Sequence, residues 1–444
     1  GFKDVIHDWK AQSWNPEKLL DLYQRAGAKY FFALANHHDN FDNWDSKYQP
    51  WNSTNMGPKK DLIAGWAAAA RKHGMKFGVS VHAAHAWSWM ETAQGADKTG
   101  PYAGVPYDGK LTKADGKGTW WEGYDPQDLY EQRHTPSPGF QELPLIHTRW
   151  SWGNGVTPPD AAYCEKFYNR TADLINRYQP DLIYFDDTAL PLWPASDAGL
   201  KIAAHFYNVN DRVHGGDGVL FAKILTPDQR QCMAWDIERG VSNELEPTPW
   251  QTDTCIGEWH YNKAVFEQHR YKSTKTVVQT LIDVVSKNGN LLLSVPVKGD
   301  GSLDSDEIEI VEGIARWMQV NQEAIHGTRP WKVFGEGPQM ADYKPLSGPG
   351  FNEGMGKPFT AEDLRFTTKG KTLYVFVMGA PKSAIRITSL GARSPLFGGK
   401  VAAISLLGSG EKIRWQQEDG ALVVELPKGA TNELANVFKI EPSL

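Results

Sequence analysis

Pro180-Asp181-Leu182-Ile183-Tyr184-Phe185-Asp186-Asp187 is the stretch that decides the fold of this 444-residue chain. A four-residue apolar run follows the proline region and stops abruptly at two carboxylates. A run apolar at every position, with no alternation, is a strand buried on both faces, as in a parallel sheet covered by helices. In α/β barrels the C-terminal ends of the strands carry the reacting groups. An acid delivered there is a candidate nucleophile or base.

The same unit recurs on either side. Residues 161–178 have the period of an amphipathic helix and feed the 182–185 strand. Upstream, Asn15-Pro16-Glu17 supplies an N-cap, a proline at the first helical position and an acid in the first turn. Leu19, Leu20, Tyr23 and Ala26 then recur at helical spacing and Gly27 supplies the stop. Residues 29–34 read as the next strand, 61–73 as a helix ended by Gly74, and 76–81 as a further strand. Residues 219–224, 232–237 and 291–295 are strand-like, and 274–287 and 305–320 are helical. Repeated βα units of this kind predict an α/β fold: a (β/α)8-like, TIM-type barrel over 1–335. Residues 90–158 are polar and rich in Gly, Pro and Trp without a period, and read as an insertion at the active-site face. Gly and Pro then crowd 336–363, which reads as a linker. Short alternating runs at 372–378, 384–388, 401–407, 412–416, 421–426 and 437–440 predict a small all-β sandwich over 364–444.

Composition excludes several classes of function. Lys plus Arg number 47 against 53 Asp plus Glu, a formal charge of −6, so the balance favours no nucleic-acid partner. Cys164, Cys232 and Cys255 are too scattered for a disulfide framework or a zinc spacing. No run approaches the ~20 apolar residues of a membrane span. Eighteen tryptophans suit a protein that offers ring faces to sugars, although tryptophan is also ordinary core material. The chain begins at Gly1 rather than Met, so a leader or pro-segment would lie outside it.

Candidate groups cluster where the strands end. His37 and His38 follow the 29–34 run, and as an isolated pair they suit metal ligands, partners for sugar hydroxyls, or locally satisfied turn residues. His82 and His85 follow the 76–81 run beside Trp87 and Trp89. Glu238 closes the 232–237 run, with Glu244 and Glu246 nearby. Two carboxylates on different strands of one barrel face are what glycoside hydrolysis needs, ~5–5.5 Å apart for retention and ~6.5–9.5 Å for inversion.

Read together, the motifs resemble those of glycoside hydrolase family 29, the α-L-fucosidases. The strings are Ala26-Gly27-Ala28-Lys29-Tyr30, His37-His38-Asp39-Asn40-Phe41 with Trp44 and Ser46-Lys47-Tyr48, Trp51-Asn52-Ser53, and Gly57-Pro58-Lys59-Lys60-Asp61. They continue with the 180–186 stretch, Asn210-Asp211-Arg212, Ser286-Lys287-Asn288-Gly289-Asn290-Leu291, Asn321-Gln322-Glu323-Ala324-Ile325, and Arg365-Phe366-Thr367. The resemblance covers nearly the whole chain. It implies a retaining exo-acting hydrolase that removes terminal α-L-fucose from a fucosylated oligosaccharide or glycoconjugate without a cofactor or metal, in an extracellular or periplasmic setting. It implies Asp186 rather than Asp187 as nucleophile and, by position, Glu238 as acid/base. His37, His38, His82, Arg212 and Trp259 would bind the sugar, His82 standing where the family often has a tyrosine. Two departures accompany it. The family's usual opening His-Trp-Gly strand has no counterpart before His7, so that strand and its histidine are expected outside this sequence. Asn40 also replaces the usual glycine. Two other readings stay open: a metal-dependent barrel hydrolase using His37, His38, His82, His85 and Asp186, although no His-X-His occurs, and a silent sugar-binding relative. Linkage, aglycone preference and oligomeric state are not legible.

Overall fold

A computed structural model describes residues 1–444 except 141–151, 153–154, 187–189, 343, 347–349, 427–428, 430 and 444. The chain divides into two units. One comprises Gly1–Leu20, Lys29–Ala234 and Gly299–Ser302; the other comprises Asp21–Ala28, Trp235–Lys298 and Leu303–Leu444.

In the first unit four strands, β1 (Tyr30–Asn36), β2 (Lys76–Val81), β3 (Leu182–Phe185) and β4 (Val219–Ala222), pair in parallel and in chain order. All four residues of β3 are buried, as a strand covered on both faces requires. Helices Leu62–Lys72, Ala161–Tyr178 and Ala198–His214 join them. The first two have chemically fixed starts: Asp61 accepts from Ala64 N and Asp160 from Tyr163 N, each at 2.8 Å. The last two end through left-handed residues, Gln179 at φ 45° and Gly215 at φ 76°. The helix Ala198–His214 is not among the expected elements. In the 90–158 region the described residues form short helical pieces, Met90–Gln94 and Gln127–Tyr130 among them. They are held on an aromatic cluster of Phe41, Trp51, Trp121 and Tyr130.

The second unit continues the parallel pattern with β5 (Ala234–Glu238, from Trp235 onward), β6 (Trp250–Cys255) and β7 (Gly289–Ser294). Gly289 faces Trp250 so closely that a Cβ there would lie 2.6 Å from the indole, which explains the glycine. Helices Thr274–Ser286 and Ser305–Asn321 follow β6 and β7. The strand–helix repeat is the (β/α)8-like class expected, and an all-β domain follows it.

That domain holds a five-stranded antiparallel sheet in the order β12 (Val401–Leu406), β15 (Asn436–Pro442), β10 (Thr372–Val377), β9 (Leu364–Lys369) and β8 (Arg329–Glu336). A second sheet holds β11 (Ile385–Ile387), β14 (Leu422–Val424) and β13 (Trp415–Gln417). Alternation along β10 sorts its side chains. Leu373, Val375 and Val377 meet the small sheet, whereas Tyr374 and Phe376 pack on the helices through Val278, Ile282 and Trp317. Two stretches depart from the sequence reading. Residues 329–335, expected in the barrel, and Glu336, expected in the linker, form β8, which pairs with β9. Residues 350–353, expected in the linker, run beside β5, where Gly350 bridges Glu238.

Candidate active site

Strand register builds the site. Val81 pairs with Phe185, and Phe185 with Ala222, so the next residues, His82, Asp186 and Lys223, stand at one level past the C-terminal ends of β2, β3 and β4. Asn36 pairs with Val81, which brings His37 to the same level from β1. A register shift between Leu34 and Asn36 precedes it, the kind of irregularity that re-aims a strand end beside a functional group.

These side chains converge on Asp186. Lys223 Nζ lies 2.6 Å from Oδ1, the Tyr184 hydroxyl donates to Oδ1 at 3.2 Å, and His82 Nδ1 is 3.2 Å from Oδ2. His82 Nδ1 also lies 2.9 Å from His37 Nε2, so a single proton on that nitrogen serves Asp186 or His37 but not both fully. Burial pushes the Asp186 carboxyl up, but the charges and hydrogen bonds of His82 and Lys223 more than offset this and hold it well below the usual carboxylate range. Its side chain stays 22% exposed while Lys223 is 7% exposed, so the anion is held by a buried cation and remains partly open to an incoming molecule.

His38 is buried and stacks on Trp89, ring centroids 4.5 Å apart and 20° from coplanar. Burial, reinforced by the neighbouring imidazoles, keeps it neutral. Donor atoms of His37, His38 and His82 lie within 4.8 Å of one another. Three imidazoles so placed offer the donor type that a borderline-soft cation takes, and partners for sugar hydroxyls as well. His85 is apart from this trio: it stacks on Trp152, and burial lowers it to about 3.

The motif around Asn40 is structural. Asn40 sits at φ 60°, a left-handed conformation that asparagine tolerates better than most residues, so it can stand where a glycine is usual. Its side chain accepts from Arg170 at 2.5 Å and donates to Leu129 O at 2.8 Å. Arg170 in turn holds Asp42 at 2.5 Å, both fully buried.

Arg212 is a correction. It is exposed in the last turn of helix Ala198–His214, two residues before His214, whose Nε2 bonds Gln179 O at 2.8 Å. Gln179 precedes β3, so Arg212 lies at the N-terminal ends of the strands and Asp186 at their C-terminal ends. The 17-residue helix between, about 25 Å long, runs antiparallel to the strands and cannot bring the two together. The cation beside Asp186 is Lys223, absent from the expected set. Its signal was present: a lysine closing the buried run Val-Leu-Phe-Ala as Asp186 closes Leu-Ile-Tyr-Phe. Asp187 lies outside the described residues.

In the second unit Glu238 is the half-buried last residue of β5, and Trp259 lies half-buried in the loop after β6. Glu246 is at the other end of its strand layer, where its backbone N donates to Lys287 O at 3.3 Å, just before β7 begins. Glu244 is exposed in the same connection. An unexpected carboxylate arrives from the supposed linker. Glu353 accepts from Lys272 and Thr254, both at 2.6 Å, and pairs with Arg239 at 3.1 Å. Burial opposes its ionisation, but Lys272 and the other donors hold it below the usual range, so it is an anion and not a proton donor. The Phe351 amide ties this segment to Glu238 O at 2.7 Å.

A sequence model of Alpha-L-fucosidase matches residues 1–323, and one of the Alpha-L-fucosidase C-terminal domain matches residues 357–441. The chain belongs to the alpha-L-fucosidase family. It is thus a glycoside hydrolase by family. The tissue alpha-L-fucosidase of Rattus norvegicus is 23% identical over 96% of this chain and 75% of its own length. The plasma alpha-L-fucosidase of Homo sapiens is 22% identical over 96% and 74%. Among solved structures, the Thermotoga maritima alpha-fucosidase in complex with fucose aligns with a TM-score of 0.67 at 23% identity, covering 98% of this chain and 81% of that one. A Bacteroides thetaiotaomicron alpha-L-fucosidase, trapped as a covalent intermediate with 2-fluoro-fucosyl fluoride, aligns with a TM-score of 0.64 at 16% identity, covering 99% and 85%. Among the described residues no helix is long and apolar enough to cross a membrane.

Proposed function

We propose that this chain is a retaining exo-α-L-fucosidase acting on terminal fucose of an oligosaccharide or glycoconjugate, with Asp186 as nucleophile and Glu238 as acid/base. The observation that carries the reading is the row His37, His82, Asp186 and Lys223: an ionised, partly open carboxylate at a strand end, fixed by donors on both oxygens. In the first step an Asp186 oxygen attacks the anomeric carbon while Glu238 gives its proton to the departing oxygen. In the second, Glu238 takes a proton from water, which attacks the same carbon and frees Asp186. His37, His38 and His82 are the proposed partners for fucose hydroxyls, and Trp259 for its methyl face. The covalent intermediate trapped in the Bacteroides thetaiotaomicron relative supports the two-step course. An extracellular or periplasmic location is proposed from the family likeness alone.

Proton NMR of the first product decides the stereochemistry: release of the α-anomer supports the reading, and release of the β-anomer overturns it. The closeness of the three imidazoles favours a second reading, metal-assisted hydrolysis through His37, His38 and His82. Full activity after prolonged treatment with a strong chelator removes it; loss that zinc restores would establish it.

A further inference from the structure

We propose that Lys223 is a positioning residue for the nucleophile: by gripping Oδ1 of Asp186 it reserves Oδ2 for attack, and it then steadies the carboxylate as that group departs from the sugar. The inference rests on the reading of Asp186 as nucleophile and adds to it a division of labour between the two oxygens.

The geometry is asymmetric. Oδ1 receives both the ammonium of Lys223, at 2.6 Å, and the hydroxyl of Tyr184, at 3.2 Å. Oδ2 has the longer contact with His82, at 3.2 Å, and His82 Nδ1 is shared with His37. An oxygen already committed to a short charge-assisted hydrogen bond is the poorer nucleophile, and the one with the shared donor is freer to form a bond. Lys223 is buried just past the end of β4, so its charge is little screened by solvent.

The chemistry follows from that assignment. In step one a lone pair of Oδ2 forms the bond to the anomeric carbon. The bond from that carbon to the aglycone oxygen breaks, its electron pair stays on that oxygen, and the acid protonates it. Oδ1 is then an ester carbonyl oxygen still facing Lys223. In step two water attacks the anomeric carbon and gives its proton to the base. The bond from the carbon to Oδ2 breaks, and the electron pair returns to the carboxylate, whose developing charge is shared with Oδ1. Lys223 meets that charge where it forms. Without it the carboxylate is a more basic nucleophile but a worse leaving group, so the two steps respond differently.

The test is Lys223→Met assayed with an activated aryl fucoside, whose departure needs little protonation. We expect kcat to fall by about 10²-fold, the scale on which losing one preorganised donor acts, with KM falling alongside it and kcat/KM changed less than about tenfold. Intact-mass analysis after acid quenching should find most of the enzyme as the fucosyl adduct at steady state. Lys223→Arg should restore turnover in part. The acidic limb of kcat/KM should also move up toward the ordinary carboxylate range in Lys223→Met. Among the described residues, His82, Tyr184, the neutral His38 and, through His82, His37 then remain around Asp186, without the ammonium that touches Oδ1. A merely structural role would instead lower kcat and kcat/KM together, accumulate no adduct and leave the limb in place, and that result overturns the proposal. If the Met variant does not fold, Lys223→Gln carries the same test. A peptide digest of the adduct separates the two claims: label on a residue other than Asp186 refutes the nucleophile assignment, whereas label on Asp186 without accumulation refutes only the role of Lys223.

Discussion

Asp186, half-buried, and Asp283, fully buried, are two carboxylates each held by a lysine and a second basic side chain, and they differ in access. Asp283 in helix Thr274–Ser286 takes Lys287 at 2.7 Å and Arg365 at 2.6 Å. Burial opposes its charge, but Lys287 and Arg365 outweigh that and hold its carboxyl below the usual range, the same balance found at Asp186. The difference is access. The Asp283 side chain is 3% exposed and both partners are sealed, whereas Asp186 is 22% exposed beside a sealed lysine. An ion pair closed on all sides knits helix to sheet, and one left open on a single side can exchange a partner for a substrate. The distinction also separates the family-like strings: Lys287 and Arg365 sit in a closed fastening, whereas the 180–186 stretch ends at the open carboxylate proposed as the nucleophile.

The comparison is broken most forcefully at Asp186. Asp186→Gly should lose at least ~10³-fold in kcat, with a smaller drop in thermal midpoint than loss of the doubly sealed Asp283, and azide should restore part of the turnover by occupying the vacated space. Retention of activity within tenfold would end the assignment. The counterpart, Asp283→Ala, should do the reverse. It leaves two buried cations without their anion, at a cost of about 3–5 kcal/mol, read as a lower denaturation midpoint with kcat of the folded fraction unchanged.

Acid sharpens the same contrast. Both carboxyls are depressed on folding, so each contributes stability that is full above the unfolded value of ~3.9 and is lost as pH falls through the lower folded value. Stability from this source should therefore be flat from about pH 7 to 5, and Asp283→Asn should remove part of the steep decline below that. The proposed role of Asp186 as nucleophile then predicts an acidic limb of kcat/KM below the ordinary carboxylate range. An acidic limb near pH 6, with none below the ordinary carboxylate range, would contradict the depression.

Smaller effects test the rest of the site. Glu238→Gln should slow a natural fucoside by about 10²-fold or more and an activated aryl fucoside much less, because only the former needs proton donation. Equal slowing of both would pass the role to Glu244. Arg212→Ala should change KM less than twofold, since the side chain lies at the opposite ends of the strands; a tenfold rise would return Arg212 to the site.

Much of this was legible because strand ends announce themselves. His37, His82 and Asp186 each follow an apolar run, and polar residues closing such runs gather at one end of the sheet. Lys223 was harder to see. In Val-Leu-Phe-Ala-Lys-Ile-Leu the apolar run resumes, and a lysine inside it looks like a long side chain reaching solvent. Arg212 was misplaced because a matching string says nothing about helix direction. The strand β6 was hidden by its composition, Trp-Gln-Thr-Asp-Thr-Cys, yet all six residues are buried. Gln251 donates to Asp236 at 2.7 Å and Thr252 to Ile237 O at 2.9 Å, so neighbouring groups satisfy polar side chains that alternation alone would send to water. Glycines and prolines between 336 and 363 predict a linker, but composition does not say where such a segment lands. Glu353 is placed by three partners distant in sequence.

The central claim is that Asp186 forms the bond to fucose. Inactivation with 2-fluoro-fucosyl fluoride, followed by proteolysis and peptide sequencing by mass spectrometry, measures this directly. The account predicts a single label on Asp186, in the peptide that carries the 182–186 run, and a slow return of activity as the label hydrolyses. Label on Asp187, on Glu238 or on no carboxylate at all would contradict it.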